Sequence, residues 1–201
     1  MRFIYTIVLY AIVPWLLLHL WWRGRIDPAY RKRWRERFGY CLDLVNKGPA
    51  IWIHAVSVGE VQASLSLVQL LLTRYPNHQI IITTTTTTGA ARVESELGDA
   101  VRHFYVPYDL PAALERFLSV VKPALVVIME TELWPNLFYC CHRRSIPLVL
   151  VNMRLSERSA HGKGVPTPAV VCPKSVGGQS PTELGHANHH DILPHALRLH
   201  L

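Results

Sequence analysis

The amino-acid sequence predicts an α/β fold, a doubly wound parallel sheet behind an amino-terminal membrane helix, and three observations carry that prediction. Phe3 to Trp22 is a stretch of 20 residues without a formal charge. Short apolar runs of strand length recur between residues 50 and 151. Between successive runs lies a stretch of helical period, the alternation that builds a parallel sheet with right-handed crossovers. With 201 residues, 50% of them hydrophobic and 17% charged, the chain holds one core, and a disordered or collagen-like protein is excluded.

The apolar segment comes first. At about 1.5 Å of rise per residue it matches the roughly 30 Å of a bilayer core, and Pro14 predicts a kink within it. Trp15, Trp21 and Trp22 suit an interfacial aromatic belt. Arg2 is the one charge on the amino side, against Arg23, Arg25, Arg31, Lys32, Arg33, Arg35 and Arg37 beyond it, so the positive-inside rule places the rest of the chain in the cytoplasm. No small-residue cleavage site follows, which favours an uncleaved, single-pass anchor over residues 1–25. A buried helix, or one lying in the membrane interface, satisfies the same composition. Residues 26–49 form a basic juxtamembrane segment in which Arg31, Lys32, Arg33 and Arg37 are candidates for anionic headgroups. Because six of the seven net positive charges fall within the first 37 residues, a broad basic groove for nucleic acid is excluded. The four cysteines, Cys41, Cys140, Cys141 and Cys172, have no C-x-x-C spacing and no disulfide-framework pattern, as expected of a reducing compartment.

The α/β part occupies residues 50–160. Ala50–Val56, Gln79–Thr85, Val101–Val106, Ala124–Met129 and Pro147–Val151 read as strands, with helices over Val61–Arg74, Ala90–Leu97, Ala112–Val120 and Pro135–Arg144. Sheets of this kind bind ligands outside the carboxyl ends of their strands, which singles out the loops after Val56, Thr85, Val106 and Met129. Residues 161–201 differ: no aromatic residue, five prolines, five glycines and six histidines, without strand or helix period. They read as a disordered tail. His186, His189, His190 and His195 lack the scaffold and partner carboxylates of a metal site, and nothing in the chain calls for a metal or a cofactor.

Two loops carry candidate chemistry. In His54-Ala55-Val56-Ser57-Val58-Gly59-Glu60, Gly59 permits a tight turn and Glu60 suits the positive end of a helix dipole, a purely structural role, or serves as a base. Glu130-Thr131-Glu132-Leu133-Trp134-Pro135-Asn136 sets two carboxylates directly after a strand, where a helix cap needs only one polar side chain. No G-x-G-x-x-G follows the first strand, which argues against a dinucleotide enzyme. The six threonines Thr83–Thr88 fit a strand end and polar loop, with an anion-binding turn before Gly89 as the alternative.

Together, these loops resemble the 3-deoxy-D-manno-octulosonic acid (Kdo) transferases of lipopolysaccharide assembly. The resemblance extends over the amino-terminal anchor, Ala29–Trp34, Glu36–Gly39, His54–Glu60, Val106–Pro111, Met129–Asn136 and Asn152–Ala160. It implies the first, acceptor-binding Rossmann-like domain of a two-domain GT-B glycosyltransferase, acting at the cytoplasmic face of the bacterial inner membrane. It further implies transfer of Kdo from CMP-Kdo to the lipid A precursor (lipid IVA), with Glu60 as proton acceptor and Glu130 as transition-state stabiliser; Glu132 ranks below Glu130, as a helix-start or shell residue. Met153 and the threonine run depart from the family pattern, and the resemblance ends at Ala160. The donor-binding second domain is expected to be missing, the chain inactive alone, and residues 161–201 an out-of-frame or otherwise aberrant tail. A non-catalytic, membrane-bound module that binds the acceptor lipid is the alternative.

Overall fold

A computed structural model describes residues 2–26, 33–41, 48–129, 134–151 and 170–171. A long helix, α1 (Arg2–Ile26), is followed by a short 3-10 turn (Trp34–Phe38) and then by the α/β domain. Its strands are β1 (Ala50–His54), β2 (Gln79–Thr84), β3 (Arg102–Tyr105), β4 (Pro123–Met129) and β5 (Leu148–Val151). Between them lie α2 (Val58–Arg74), α3 (Thr87–Leu97), α4 (Pro111–Val121) and α5 (Pro135–Arg143). The strand order is β3-β2-β1-β4-β5, all parallel, so the winding reverses between β1 and β4. A two-residue strand, β6 (Val170–Val171), adds antiparallel to β5. This corrects the expectation that no strand occurs beyond residue 160: a pair of β-branched valines joins the open edge of β5. The rest of the expected tail lies outside the described residues.

Period-two alternation explains the two-faced core. Ile51 and Ile53 of β1 join Ile80, Ile82, Leu125 and Val127 on one face, beneath Val61, Val68 and Leu71 of α2 and Val93 of α3. Trp52 points the other way, into Phe117, Leu114 and Leu118 of α4 and Leu137 of α5, with its ring centroid 4.7 Å from that of Phe117. The β1 strand is therefore buried on both faces, the burial that a central parallel strand requires.

Helices α2 and α3 begin earlier than hydrophobic period alone indicates, because their caps lie upstream of the apolar stripe. Ser57 caps α2, its Oγ accepting from the Glu60 N–H at 3.3 Å, and Thr86 caps α3, accepting from the Gly89 N–H at 3.1 Å. That bond, with Thr83 and Thr84 in β2, assigns the threonine run to strand end and cap. Gly39 closes the 3-10 turn at φ +85°, and a Cβ there would lie 2.1 Å from the Ala113 carbonyl oxygen, so only glycine fits. Cys41, Cys140 and Cys141 are buried free thiols pushed up by burial to about 12, 11 and 12, which leaves them unreactive at neutral pH.

Candidate active site at the carboxyl edge of the sheet

The loops after β1, β2 and β3 interlock at one edge. Ala55 N–H donates to the Thr83 carbonyl, Thr85 N–H to the Val56 carbonyl and Val106 N–H to the Thr84 carbonyl. This holds the end of β1, beside the reversal of winding, in a fixed backbone frame.

Glu60 sits in that frame, only 7% exposed. One carboxylate oxygen accepts the Val56 N–H at 2.8 Å and the other accepts the Ser57 hydroxyl at 3.0 Å. With the Ser57-to-Glu60 cap bond this is a variant of the capping box, in which the carboxylate reaches back to the Ser57 hydroxyl and to the Val56 N–H, one residue ahead of the cap. The arrangement fixes the carboxylate's orientation over the end of β1 and serves the local structure at the same time. His54, fully buried, shares a 3.0 Å hydrogen bond with Thr83 Oγ1, which also accepts the Trp52 indole N–H at 2.8 Å. The His54 ring meets Trp134 edge-on at 5.2 Å, so the start of α5 abuts the β1 end. Glu130 and Glu132, the candidate carboxylates of the β4 loop, lie outside the described residues.

A second polar cluster surrounds Asp109, in the loop after β3. Helix α5 opens with Pro135, and its N-cap residue Trp134 makes no side-chain cap bond. Asp109 supplies the acceptor from another loop: Oδ2 takes the Asn136 N–H at 3.1 Å and Oδ1 the Leu137 N–H at 2.8 Å, at the positive end of the helix. Asn136 returns its amide N–H to the Asp109 carbonyl at 2.7 Å. The Tyr5 hydroxyl of α1 donates to Oδ2 at 2.9 Å. Burial raises the Asp109 carboxyl above its ordinary value, against these hydrogen bonds, which lower it.

The 3-10 turn contributes a third cluster. Arg37, 5% exposed, donates to the Thr85 carbonyl at 2.8 Å and lies 4.6 Å over the Tyr105 ring. Arg33 pairs with Glu36 at 2.6 Å, donates to the His103 carbonyl and lies 3.1 Å from His103 Nδ1. Glu36 accepts the Tyr105 N–H at 2.8 Å. Both arginines, candidates for headgroups, find partners within the domain, Arg37 buried and Arg33 with its side chain still 38% exposed, because carbonyls and an aromatic face lie within their reach. Arg31 and Lys32 lie outside the described residues.

Since Arg33 donates to His103 Nδ1, the imidazole carries its proton on Nε2, 2.9 Å from Thr84 Oγ1. Burial, aided by the Arg33 charge, pushes His103 down to about 3. The unfolded chain binds a proton here from about pH 6.5 while the folded chain stays neutral until about 3. Stability contributed by this site is therefore complete above pH 6.5 and is lost as the pH falls through that window, at a slope of at most about 1.4 kcal/mol per pH unit. Urea midpoints measured in mild detergent at pH 7, 5.5 and 4 are expected to fall more steeply for the native chain than for His103→Gln. Equal slopes would refute the assignment.

Fold and edge together define a Rossmann-like α/β domain with a buried carboxylate at the end of its central strand. Residues 32–170 match the family model described as 3-deoxy-D-manno-octulosonic-acid transferase (kdotransferase), ten residues further than the motifs themselves reach. The chain belongs to that family. It is 45% identical over 164 residues to the 3-deoxy-D-manno-octulosonic acid transferase of Haemophilus influenzae, covering 81% of this chain and 38% of that protein. It is 36% identical over 156 residues to a probable mitochondrial counterpart in Arabidopsis thaliana, covering 78% and 35%. The Bordetella pertussis transferase is 34% identical over 174 residues, covering 81% and 40%. The chain thus spans less than half the length of these curated relatives.

Local sequence patterns missed Asp109, Asn136 and the inward role of Arg37. Asp109 precedes α4 but caps α5, so its signal is not in its own neighbourhood. The Ser57-to-Glu60 box, by contrast, has a readable spacing.

Proposed function

We propose that this chain is the acceptor side of a GT-B glycosyltransferase that moves Kdo from CMP-Kdo to the lipid A precursor at the cytoplasmic face of the bacterial inner membrane. The observation that carries the proposal is the family match over residues 32–170, together with a buried, oriented carboxylate at the end of the central strand. In the reaction an acceptor hydroxyl attacks the anomeric carbon of Kdo, a new C–O bond forms as the bond to CMP breaks, and the configuration inverts. Glu60 takes the hydroxyl proton; its bonds to Val56 N–H and Ser57 hold it in one orientation, and its oxygens retain lone pairs for a further donor. Glu130 stabilises the positive character that develops on the sugar. CMP-Kdo is held by a second domain in this reading, and transfer requires both halves of the cleft to hold the two reactants in register.

The test is a chimera in which residues 1–160 replace the matching segment of the Haemophilus influenzae relative. With CMP-Kdo and lipid IVA, the acceptor mass is expected to increase by Kdo. A folded, membrane-bound chimera that binds lipid IVA without turnover would overturn the catalytic reading in favour of an acceptor-binding module.

A further inference from the structure

Both ends of the amino-terminal segment are fastened to the same domain. At the start of α1, Tyr5 donates to Asp109, while Arg2 and Thr6 reach Asn136 Oδ1 at 3.3 and 3.0 Å. The Arg2 guanidinium also lies 3.5 Å over the Tyr139 ring of α5. Beyond the helix, Arg33 is bonded to His103 and Arg37 to Thr85. A helix that crossed a bilayer between residues 3 and 22 would place Arg2 and Arg33 on opposite sides of it. One domain cannot hold both.

Exposure along α1 agrees. The less exposed positions of α1 include Tyr5, Leu9, Val13 and Leu16, which are partly covered, and Leu20 and Gly24, which are buried; they recur every three or four residues along one side of the helix, with Thr6 and His19 at its margin. Phe3, Ile4, Trp15, Leu18 and Trp22, all between 60% and 75% exposed, lie on the opposite face. Arg25 stacks 4.0 Å from the Trp21 ring near the carboxyl end. An outer face of aliphatic and indole side chains, with arginine beside it, has the chemistry of a leaflet contact.

We propose that α1 does not span the membrane but lies along it, its less exposed side kept toward the protein and its outer face sunk into one leaflet of the bilayer. The single-pass arrangement expected from length and composition gives way to a monotopic one, in which Arg2, Tyr5 and Thr6 remain on the same side as the sheet. The proposal takes from the proposed function only that a membrane is the site of action.

The experiment uses the full chain in a Gram-negative host, with one protease-cleavable epitope ahead of Met1 and a different one after Leu201. Protease is added to right-side-out spheroplasts and, separately, to inverted vesicles. Both epitopes are expected to survive in spheroplasts and to be lost together from inverted vesicles, with the protein sedimenting with membranes. Loss of the amino-terminal epitope alone in spheroplasts would establish a spanning helix and overturn the proposal, leaving the transferase reading intact. Recovery of the chain in the soluble fraction would overturn both the monotopic attachment and the membrane location.

Discussion

Glu60→Gln, introduced into the chimera, is expected to lower Kdo transfer by about 10²- to 10⁴-fold, the contribution typical of a positioned general base. Glutamine is the informative substitution because it separates the two roles of this side chain. A capping box accepts Gln as well as Glu: the amide oxygen still accepts the Val56 N–H, and the Ser57 hydroxyl still accepts the backbone N–H of residue 60. Stability should therefore change by less than about 1 kcal/mol, measured as a denaturant midpoint. Lipid IVA binding should persist. A large loss of turnover beside an unchanged midpoint assigns the proton transfer to Glu60; full turnover would leave the carboxylate with a capping role alone.

Asp109→Ala is expected to have the largest effect on stability, about 3 to 5 kcal/mol. The change strips the acceptor from three donors at once, the Asn136 and Leu137 N–H groups and the Tyr5 hydroxyl, in a site only 5% exposed. It also removes the negative charge from the amino end of α5. Against a total of about 5 to 15 kcal/mol for a typical domain, such a loss takes most of the margin. Asp109→Asn, which keeps one acceptor oxygen, should recover roughly half of it. Denaturant midpoints of the three proteins in detergent provide the check; equal midpoints would show that water replaces the carboxylate at no cost.

These two residues also mark how far sequence reasoning reaches. Strand positions follow from apolar runs such as Ile51-Trp52-Ile53 and Leu125–Ile128, whose burial on both faces permits no other element of that length. The edge on which function is sought follows from the alternation of elements, and Glu60 from its loop. Asp109 is different: its partner helix starts 26 residues later, and chain order does not reveal which helix end a carboxylate will face. The basic segment shows the same limit. Arg33 and Arg37 look like headgroup ligands until the 3-10 turn places a carbonyl and an aromatic ring within reach of each. Hydropathy marks α1 as long and apolar enough to cross a membrane, yet its docking on the domain depends on Tyr5 and Thr6, two polar side chains that contribute little to an average over twenty residues.

The bonds from Arg33 to the His103 carbonyl and from the Tyr105 N–H to Glu36 have one more consequence. Strand β3 is the last of the sheet on its side, and these are its outward-facing ladder groups. An unpaired ladder is a template for another chain, and proteins blunt it with charge or cover it with a loop. The turn at residues 34–38 does both. A version shortened to begin at Ala50, the start of the sheet, would therefore be prone to edge-to-edge aggregation even with its greasy helix gone. Trimming that stops short of Arg33 should give the soluble protein.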